Sequence, residues 1–241
     1  MVHKKTVLIT GANKSIGFET ARQMGRKGYG VWIGSRDVAR GEEAVQLLSA
    51  EGVEARPIYI DVTDEASVRQ AADRVQTEDG KLDVLINNAG IPGQMVPPSQ
   101  QSINDIRTIY ETNVFAPVLV TQAFLPVLKR VGNANIVMVS SGLGSLGWLS
   151  DPGNQFYGVN FLGYNSSKTA LNAITVALAK ELAASGIKVN AADPGYTATD
   201  FNGHSGYRTV QQAASGIVRL ATLDEEGPTG GFYFDGVVVP W

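Results

Sequence analysis

Tyr164 and Lys168 stand four residues apart at the start of a long segment in which apolar residues recur at helical spacing. On a helix, that spacing places a phenol and an ammonium group on one face, one turn apart. A phenol has an ordinary pKa of about 10 and is a poor proton donor at neutral pH. A positive charge ~4 Å away would favour the phenolate by roughly 4 kcal/mol, or about three pKa units. The pair is therefore predicted to make Tyr164 a proton donor that works near pH 7.

The composition excludes several other kinds of chemistry. The chain has no cysteine and only two histidines, His3 and His204, among its 241 residues. Disulfides, thiolate metal sites and a cysteine nucleophile are thereby excluded, a histidine metal site is hard to build, and no metal is predicted. The net charge of −3 argues against nucleic-acid binding. No apolar leader precedes the first strand and no stretch approaches ~18 uninterrupted apolar residues, so we expect a cytoplasmic protein without membrane contact.

Strand-like apolar runs alternate with helix-length amphipathic segments along most of the chain. The predicted strands are Thr6–Thr10, Val31–Ser35, Ala55–Ile60, Leu82–Asn87, Asn135–Ser140, Lys188–Ala192 and Gly231–Phe234. The predicted helices are Ile16–Lys27, Val38–Glu51, Glu65–Thr77, Ile103–Val131, Tyr164–Ser185 and Val210–Ala221. This alternation predicts an α/β fold, a parallel sheet of about seven strands with helices on both faces. No linker, repeat or compositional break is present, so residues 1–241 are predicted to form a single domain.

A glycine-bearing turn follows the first predicted strand and opens a helix. This is the place where a dinucleotide pyrophosphate rests on the free N–H groups of a helix amino terminus. Its spacing departs from Gly-x-Gly-x-x-Gly, because a serine stands where a glycine is expected. The serine Cβ narrows the approach to a phosphate, although its hydroxyl could offset this with a hydrogen bond. The predicted cofactor-binding residues of the turn are Gly11, Asn13, Lys14, Ser15, Ile16 and Gly17.

A second glycine pattern, Gly142, Gly144 and Gly147, matches Gly-x-Gly-x-x-Gly better and also follows a strand. The segment from Trp148 onwards is not an amphipathic helix. No helix dipole is therefore expected to face a phosphate there, and this pattern is rejected as a cofactor site.

The end of the second strand predicts which dinucleotide binds. A carboxylate at this place favours NAD, whereas an arginine accommodates the 2′-phosphate of NADP. Arg36 stands here, and Lys14 could supply a second cation to the same phosphate. Asp37 complicates the assignment, but it is equally well explained as the cap or first-turn acid of the next helix. We therefore predict NADPH or NADP as the cofactor.

Taken together, these motifs resemble the short-chain dehydrogenase/reductase family over nearly the whole chain. They stand in family order at family spacing: Thr10-Gly11, Ile16-Gly17, Asp61-Val62, Asn87-Asn88-Ala89-Gly90, Asn113, Ser140-Ser141, Tyr164 with Lys168, and Pro194-Gly195 with Thr197 and Thr199. The glycine turn, the Gly34–Asp37 segment and the tail from Gly230 to Trp241 are similar to NADPH-dependent carbonyl reductases. The resemblance implies a Rossmann-type doubly wound fold and an enzyme that reduces a ketone or an aldehyde with NADPH, reversible as an alcohol dehydrogenase.

The resemblance also implies a role for each motif. Tyr164 would donate the proton, Lys168 would lower its pKa and hold the nicotinamide ribose, and Ser141 would polarise the carbonyl. The neighbouring Ser140 competes for that role. Asn113 would steady the helix and a water that links Lys168 to solvent, or else simply bond to its own helix. The residues implied to contact the remainder of the cofactor are Asp61, Val62, Asn88, Ala89, Gly90, Pro194, Gly195, Thr197 and Thr199.

Two segments depart from the family pattern. Ser141 and Tyr164 lie farther apart than is usual, which predicts an inserted loop at residues 143–163 near the active site. Its aromatic side chains either wall a pocket for an apolar or aryl ketone or pack on the loop itself or on another subunit. Residues 200–209 are short and glycine-bearing and predict a small substrate lid. A small lid predicts an open site with loose substrate preference.

Three functions remain open from the sequence. The leading one is a carbonyl reductase that acts on a small-molecule carbonyl substrate. The resemblance also implies that the protein could be a homo-oligomer, and the sequence leaves the oligomeric state open. The second is a non-catalytic NADP-binding regulator on the same fold, although such a sensor has no use for the Ser141, Tyr164 and Lys168 set. The third is a serine hydrolase that uses Ser141 and His204, but no Gly-x-Ser-x-Gly elbow surrounds Ser141.

Overall fold

The computed structural model describes residues 4–241, and its centre is one eight-stranded sheet. The strand order is β3-β2-β1-β4-β5-β6-β7-β8, and every pairing is parallel except the antiparallel pair β7–β8. The strands are β1 Thr6–Thr10, β2 Gly30–Ser35, β3 Ala55–Tyr59, β4 Val84–Asn87, β5 Asn135–Val139, β6 Lys188–Asp193, β7 Phe232–Phe234 and β8 Val237–Val238.

Helices cover both faces of the sheet. They are α1 Ser15–Arg26, α2 Val38–Ala50, α3 Glu65–Glu78, α4 Ile103–Tyr110, α5 Ala116–Lys129, α6 Leu146–Ser150, α7 Leu162–Leu182 and α8 Val210–Ala221. Successive strand residues point to opposite faces, so Leu8 joins the apolar core beneath α3, α5 and α7, whereas Val7 and Ile9 join the core beneath α1, α2 and α8. The predicted doubly wound parallel sheet is confirmed.

The structure adds an eighth strand that the sequence analysis missed. Asp235 and Gly236 have φ angles of 48° and 84°, which is the left-handed backbone of a tight hairpin turn. The turn brings Val237 and Val238 back along β7 as the antiparallel edge strand. The Asp-Gly pair was the available signal, but two exposed valines are too short a run to read as a strand by periodicity.

The predicted helix Ile103–Val131 is interrupted. A π-helical turn, Glu111–Phe115, separates α4 from α5. Together, α4, the π-helical turn and α5 form a helical run from Ile103 to Lys129. By length and composition, it is the one helical stretch among residues 4–241 that could cross a membrane, but half of its most apolar part is buried inside the protein. A core helix passes the same test, so the run is weak evidence for a membrane span.

Candidate active site

The predicted site residues converge on the carboxyl edge of the sheet. The chain winds outward from β1 to β3 and resumes with β4 on the other side of β1, so the loops after β1 and β4 diverge and open a crevice. The glycine turn follows β1, Arg36 follows β2, Asp61 and Val62 follow β3, and residues 88–90 follow β4. Ser141 follows β5, and the segment 194–199 follows β6.

The glycine turn is shaped for close approach of its backbone. Gly11 has a φ of 63°, and a Cβ added there would lie 3.2 Å from the Ala89 Cα. A Cβ on Gly17 would lie 2.6 Å from the Asn88 Nδ2 and from the Gly11 carbonyl oxygen. Both positions therefore need glycine for α1 to pack against the loop after β4.

The amino terminus of α1 leaves its N–H groups free of a side-chain cap. Helices α2 and α3 begin with Asp37 and Asp64, whose carboxylates accept backbone N–H groups of the first turn. Helix α1 begins after Lys14, which makes no capping hydrogen bond, and its first turn carries no acidic residue. An anion is the natural partner for such a terminus, so these residues fit a dinucleotide pyrophosphate.

Ser15, the departure from the family glycine, is held in a left-handed conformation with a φ of 56°. Its hydroxyl makes no hydrogen bond with another residue of the described chain, 4–241, and so stays available to a ligand. An L-residue in this conformation costs about 1–2 kcal/mol, which glycine avoids.

We expect Ser15→Gly to raise the free energy of unfolding by about 0.5–1 kcal/mol, because relief of the left-handed strain outweighs the added flexibility of the unfolded chain. Urea unfolding would measure the change. As a control, Ser49→Gly in the ordinary helical backbone of α2 should lower the free energy of unfolding by about 0.5 kcal/mol. Equal destabilisation by both substitutions would contradict the strain at Ser15.

Thr10 braces the loop after β4, a role that the sequence analysis missed. Its buried hydroxyl oxygen accepts the backbone N–H groups of Asn88 at 3.0 Å and Ala89 at 3.1 Å. The Asn88 amide in turn donates to the Thr10 and Gly11 carbonyl oxygens at 2.8 and 3.2 Å. These bonds hold the two walls of the crevice together.

Asp61 and Val62 lie beyond the end of β3 as predicted. The Asp61 carboxylate accepts the Thr63 backbone N–H at 3.0 Å and the Thr63 hydroxyl at 2.8 Å. Ser67 fixes the same turn, because its hydroxyl accepts the Asp61 backbone N–H at 2.8 Å. Val62 packs at the margin of the core beneath α3, α5 and α7. The adenine contact of both residues stays a prediction.

The two cations predicted to hold a 2′-phosphate differ in their surroundings. Arg36 is exposed and has no ion-pair partner within the described residues 4–241. Asp37, which complicated the assignment, is the cap of α2, with Oδ1 accepting the Arg40 N–H at 3.1 Å. Lys14 instead pairs with Asp200 in the 200–209 segment at 2.7 Å. Arg36 is thus free for an anion, whereas Lys14 is already engaged.

The segment after β6 is anchored by its own hydroxyl and carboxyl groups. The Thr197 hydroxyl donates to the Pro194 carbonyl oxygen at 3.0 Å, and the Asp193 carboxylate accepts the Gly195 N–H at 2.8 Å. Thr199 begins a short helical turn, Asp200–Asn202, through a reciprocal capping box with Asn202. Thr197 and Thr199 are both buried.

Tyr164 lies in the first turn of α7, and its hydroxyl group faces that of Ser141. The competition between the two serines is resolved by their partners, since the Ser140 hydroxyl is buried and donates to the Asn172 Oδ1 at 2.6 Å. Lys168, one turn along α7, is buried, and its Nζ lies 5.7 Å from the centre of the Tyr164 ring. The predicted Ser141, Tyr164 and Lys168 set is therefore assembled in space.

The electrostatics of this set differ from the prediction. Burial raises the pKa of Tyr164 above its ordinary value; the Ser141 hydrogen bond lowers this pKa, and the charge of Asp193 raises it. The prediction that Lys168 lowers the Tyr164 pKa is wrong for this structure, because the ammonium group donates to the Val139 carbonyl oxygen at 2.8 Å and burial of the phenol dominates. Burial also lowers the pKa of Lys168 itself to about 8.

Asn113 lies in the π-helical turn and does not bond to its own helix. Its Oδ1 accepts the Ile91 N–H at 2.9 Å, and its Nδ2 donates to the Ile91 carbonyl oxygen at 2.9 Å and to the Ser167 hydroxyl at 3.1 Å. A Cβ on Gly90 would lie 3.3 Å from the Asn113 Oδ1 and 3.6 Å from the Lys168 Nζ. Asn113 therefore joins the loop after β4 to α7 beside Lys168.

The pattern Gly142, Gly144 and Gly147 was rejected as a cofactor site because no helix was expected there, and that expectation is wrong. A one-turn helix, α6, begins at Leu146 and is capped by the Ser145 hydroxyl. Each glycine of the pattern is explained by packing. An added Cβ would lie 2.8 Å from the Lys168 backbone at Gly144 and 3.3 Å from Trp241 at Gly147. The helix terminus is thus already satisfied by the protein.

The aromatic side chains of the 143–163 segment are divided between packing and exposure. Trp148 packs with Phe156 at a ring-centre distance of 5.5 Å and against the small core of Ala191, Phe232 and Val239. Tyr157 is exposed.

From the 200–209 segment, Phe201 meets the Tyr164 ring edge-on at 5.5 Å. His204 is exposed and pairs with Asp200, with Nε2 at 3.0 Å from Oδ1. Its partner is therefore an exposed carboxylate of the same segment rather than Ser141. Across residues 4–241, no group of three or more His, Asp or Glu side chains could hold a metal ion.

Comparison with known proteins identifies the family. The model of short chain dehydrogenases matches residues 5–208. A short-chain dehydrogenase of Penicillium roqueforti, anuI, is 38% identical over 227 residues, which cover 92% of this chain and 90% of that protein. Carbonyl reductase [NADPH] 3 of Mus musculus is 34% identical over 273 residues and 98% of each chain. The protein belongs to the short-chain dehydrogenase family and is an oxidoreductase of that class.

Solved structures have the same fold. The NADPH-bound carbonyl reductase from chicken fatty liver superposes with a TM-score of 0.87 at 30% identity, over 100% of both chains. Salutaridine reductase from Papaver somniferum superposes with a TM-score of 0.84 at 27% identity, over 95% of this chain and 99% of that one.

Proposed function

We propose that this protein is an NADPH-dependent carbonyl reductase that converts a ketone or an aldehyde to its alcohol and runs in reverse as an alcohol dehydrogenase. The observation that carries the proposal is that the Ser141 and Tyr164 hydroxyl groups face each other, with Lys168 buried one turn along α7, at the carboxyl edge of the sheet. The NADPH carbonyl reductases among its relatives and structural neighbours support the same chemistry.

A nicotinamide held at this site would supply the hydride that the carbonyl carbon accepts. Negative charge then builds on the carbonyl oxygen, and a hydrogen-bond donor and a proton source must meet it there. Ser141 donates the hydrogen bond and Tyr164 gives its phenolic proton to that oxygen, which completes the alcohol. Burial raises the pKa of Tyr164, so at neutral pH the phenol carries the proton that it would give, as an ordinary phenol also does. Lys168, buried one turn along α7, would hold the nicotinamide ribose.

Each group of the remaining predicted residues would hold one part of the cofactor. The free terminus of α1 and residues 11–17 would hold the pyrophosphate, and Asp61, Val62 and residues 88–90 would hold the adenosine half. Residues 194–199 would hold the nicotinamide. Asn113 would keep the loop after β4 against α7, at the place where its three hydrogen bonds already do so.

The direct test follows NADPH absorbance with a panel of ketones and aldehydes. Steady oxidation of NADPH that depends on the carbonyl compound supports the proposal. Absence of turnover with every carbonyl, together with intact turnover of some other substrate by Tyr164→Phe, would refute it.

We expect Arg36→Asp to shift cofactor preference from NADPH towards NADH. The exposed, unpaired guanidinium is the available partner for a 2′-phosphate, and losing one charged hydrogen bond while gaining a repulsive carboxylate should change the ratio of the two kcat/KM values by about 10- to 100-fold. Steady-state kinetics with both cofactors would measure this. Arg130→Asp, an equal charge change beside Gly80 on the other side of the protein, should leave the ratio unchanged. Unchanged selectivity in Arg36→Asp would count against the assignment.

We also propose a cytoplasmic location and a homo-oligomer. Ile103 and Phe115 on the α4–α5 segment are 61% and 54% exposed, and burial of such side chains favours association. Light scattering of the purified chain tests the assembly, and a monomer at every concentration would overturn it.

A further inference from the structure

Asn172 is a buried side chain of α7 that the proposed reaction does not use. It is 3% exposed and follows Tyr164 and Lys168 at four-residue spacing, which places the three residues along one side of the helix. A carboxamide buried to this extent is costly unless its donor and its acceptor are both paired. The partners of its two polar atoms therefore indicate its role.

Both polar atoms of Asn172 bind the loop after β5, one on each side of Ser141. The Asn172 Oδ1 accepts the Ser140 hydroxyl at 2.6 Å, and the Nδ2 donates to the Gly144 carbonyl oxygen at 3.2 Å. Thr169 supports the second contact, because its hydroxyl donates to the same carbonyl oxygen at 3.0 Å. Asn172 therefore holds the loop at two points that flank the predicted hydrogen-bond donor.

The loop itself is folded closely around Ser141. The Gly144 N–H donates to the Ser141 carbonyl oxygen at 2.8 Å, and the Leu143 N–H donates to the Ser141 hydroxyl oxygen at 3.2 Å. A Cβ added to Gly144 would lie 2.8 Å from the backbone carbonyl carbon of Lys168, so the loop lies directly on α7. A displacement of Gly144 would therefore also displace the Ser141 side chain.

The two donors of the proposed reaction come from different elements. The Ser141 and Tyr164 hydroxyl groups face each other, and both must reach one carbonyl oxygen. Tyr164 is fixed by its place in α7, whereas Ser141 lies in a loop that follows β5. Asn172 joins that loop to the helix that carries Tyr164. Such a contact matters, because a misplacement of about 1 Å can cost about 10²-fold in rate.

We infer that Asn172 is a positioning residue that fixes the Ser141 loop to α7 and so sets the place of the Ser141 hydroxyl group beside Tyr164. Its catalytic consequence rests on the proposed function. The contact between the loop and the helix is a property of the protein alone and can be tested without turnover.

The first test is a double-mutant cycle on kcat for ketone reduction. We expect Asn172→Ala to lower kcat about 10-fold and to keep the KM for NADPH within about 2-fold, because the misplaced donor acts in the transition state. In Ser141→Ala the same substitution should change kcat by less than about 2-fold, since the group that it positions is gone. A loss of equal size in both backgrounds would overturn the inference, because a general disturbance of α7 would give that pattern.

Asn190→Ala is the matched control. Asn190 is 1% exposed and also makes two contacts, since it accepts the Gly231 N–H at 3.0 Å and donates to the Pro228 carbonyl oxygen at 2.8 Å. It holds the segment before β7 rather than the Ser141 loop. Its replacement should destabilise the protein and leave kcat unchanged. Similar falls in kcat in Asn172→Ala and Asn190→Ala would overturn the inference, because kcat would then only follow stability.

Hydrogen exchange of backbone amides tests the contact without any substrate. Asn172→Ala should speed exchange across residues 142–145 by about 10-fold, because both hydrogen bonds from Asn172 to this loop are lost. In Asn190→Ala the increase should fall on residues 228–231 instead. If Asn172→Ala does not fold, Ser140→Ala, which removes one of the two contacts, serves for the same measurements.

The outcomes separate the inference from the proposed function. Unchanged exchange at residues 142–145 would overturn the inference, and so would faster exchange in an enzyme whose kcat does not change. Faster exchange at these residues in a protein that turns over no carbonyl compound would leave the contact between the loop and α7 standing and overturn the reductase.

Discussion

Tyr164→Phe is expected to lower kcat for ketone reduction by about 10²- to 10⁴-fold, the usual contribution of a positioned proton donor. The substitution removes only the hydroxyl group that meets Ser141 and keeps the ring that meets Phe201 edge-on. NADPH binding, measured by fluorescence titration, should stay within about 3-fold, since the loss is confined to the transition state.

A matched control is available in Tyr29→Phe. Tyr29 is a buried tyrosine whose pKa is raised, like that of Tyr164, mainly by burial and also by the charge of Asp83. It lies just before β2, at the amino edge of the sheet and away from the crevice. Its loss should leave kcat unchanged. Similar kcat values for Tyr164→Phe and Tyr29→Phe would exclude Tyr164 as the proton donor.

Lys168→Met is expected to abolish most of the activity and yet to stabilise the protein at neutral pH. Removing one preorganised donor from an active site costs about 10²- to 10³-fold in kcat. Burial lowers the Lys168 pKa from 10.5 to about 8, and this difference corresponds to about 3 kcal/mol of stability lost by keeping the ammonium charged inside the protein. The hydrogen bond to the Val139 carbonyl oxygen offsets about 1–2 kcal/mol of this lost stability. The net gain expected from methionine is therefore about 1–2 kcal/mol.

The sign of the pH dependence follows from the two pKa values. Between about 8 and 10.5 the unfolded chain holds a proton on Lys168 that the folded chain has released, so the stability of the wild type rises with pH in that interval. The advantage of Lys168→Met should be full below pH 8 and should have vanished by pH 10.5. Urea unfolding of both proteins at pH 7 and near pH 10 measures this.

Lys188→Met provides the comparison for this prediction. Lys188 is buried at the beginning of β6, where its Nζ donates to the Asn133 Oδ1 at 2.7 Å. Its replacement should leave kcat unchanged. A destabilised Lys168→Met at pH 7 would show that the hydrogen bond to Val139 outweighs the burial of the charge.

The local sequence pattern was sufficient to predict most of the strands and helices. The apolar runs at Thr6–Thr10 and Lys188–Ala192 and the helical spacing after Tyr164 predicted elements that the structure contains. Each of these signals lies within one segment, because buried parallel strands are continuously apolar and a packed helix needs an apolar stripe. The π-helical turn at Glu111–Phe115 left no such trace, and the contacts that Asn113 makes from it are with Ile91 and Ser167, which are distant in sequence.

The sequence by itself determined the α/β alternation, the glycine turn and the residue types that can donate a hydrogen bond and a proton to a carbonyl oxygen. The tertiary structure alone decided that Ser141 rather than Ser140 meets Tyr164, that Asn113 bridges to Ile91, and that the buried Asp193 carboxylate accepts the Gly195 N–H. It also reversed the expected direction of the Tyr164 pKa. The physical reason is the same throughout: ionisation and hydrogen bonding depend on burial and on contacts between segments that are distant along the chain, and residue spacing within one helix contains neither.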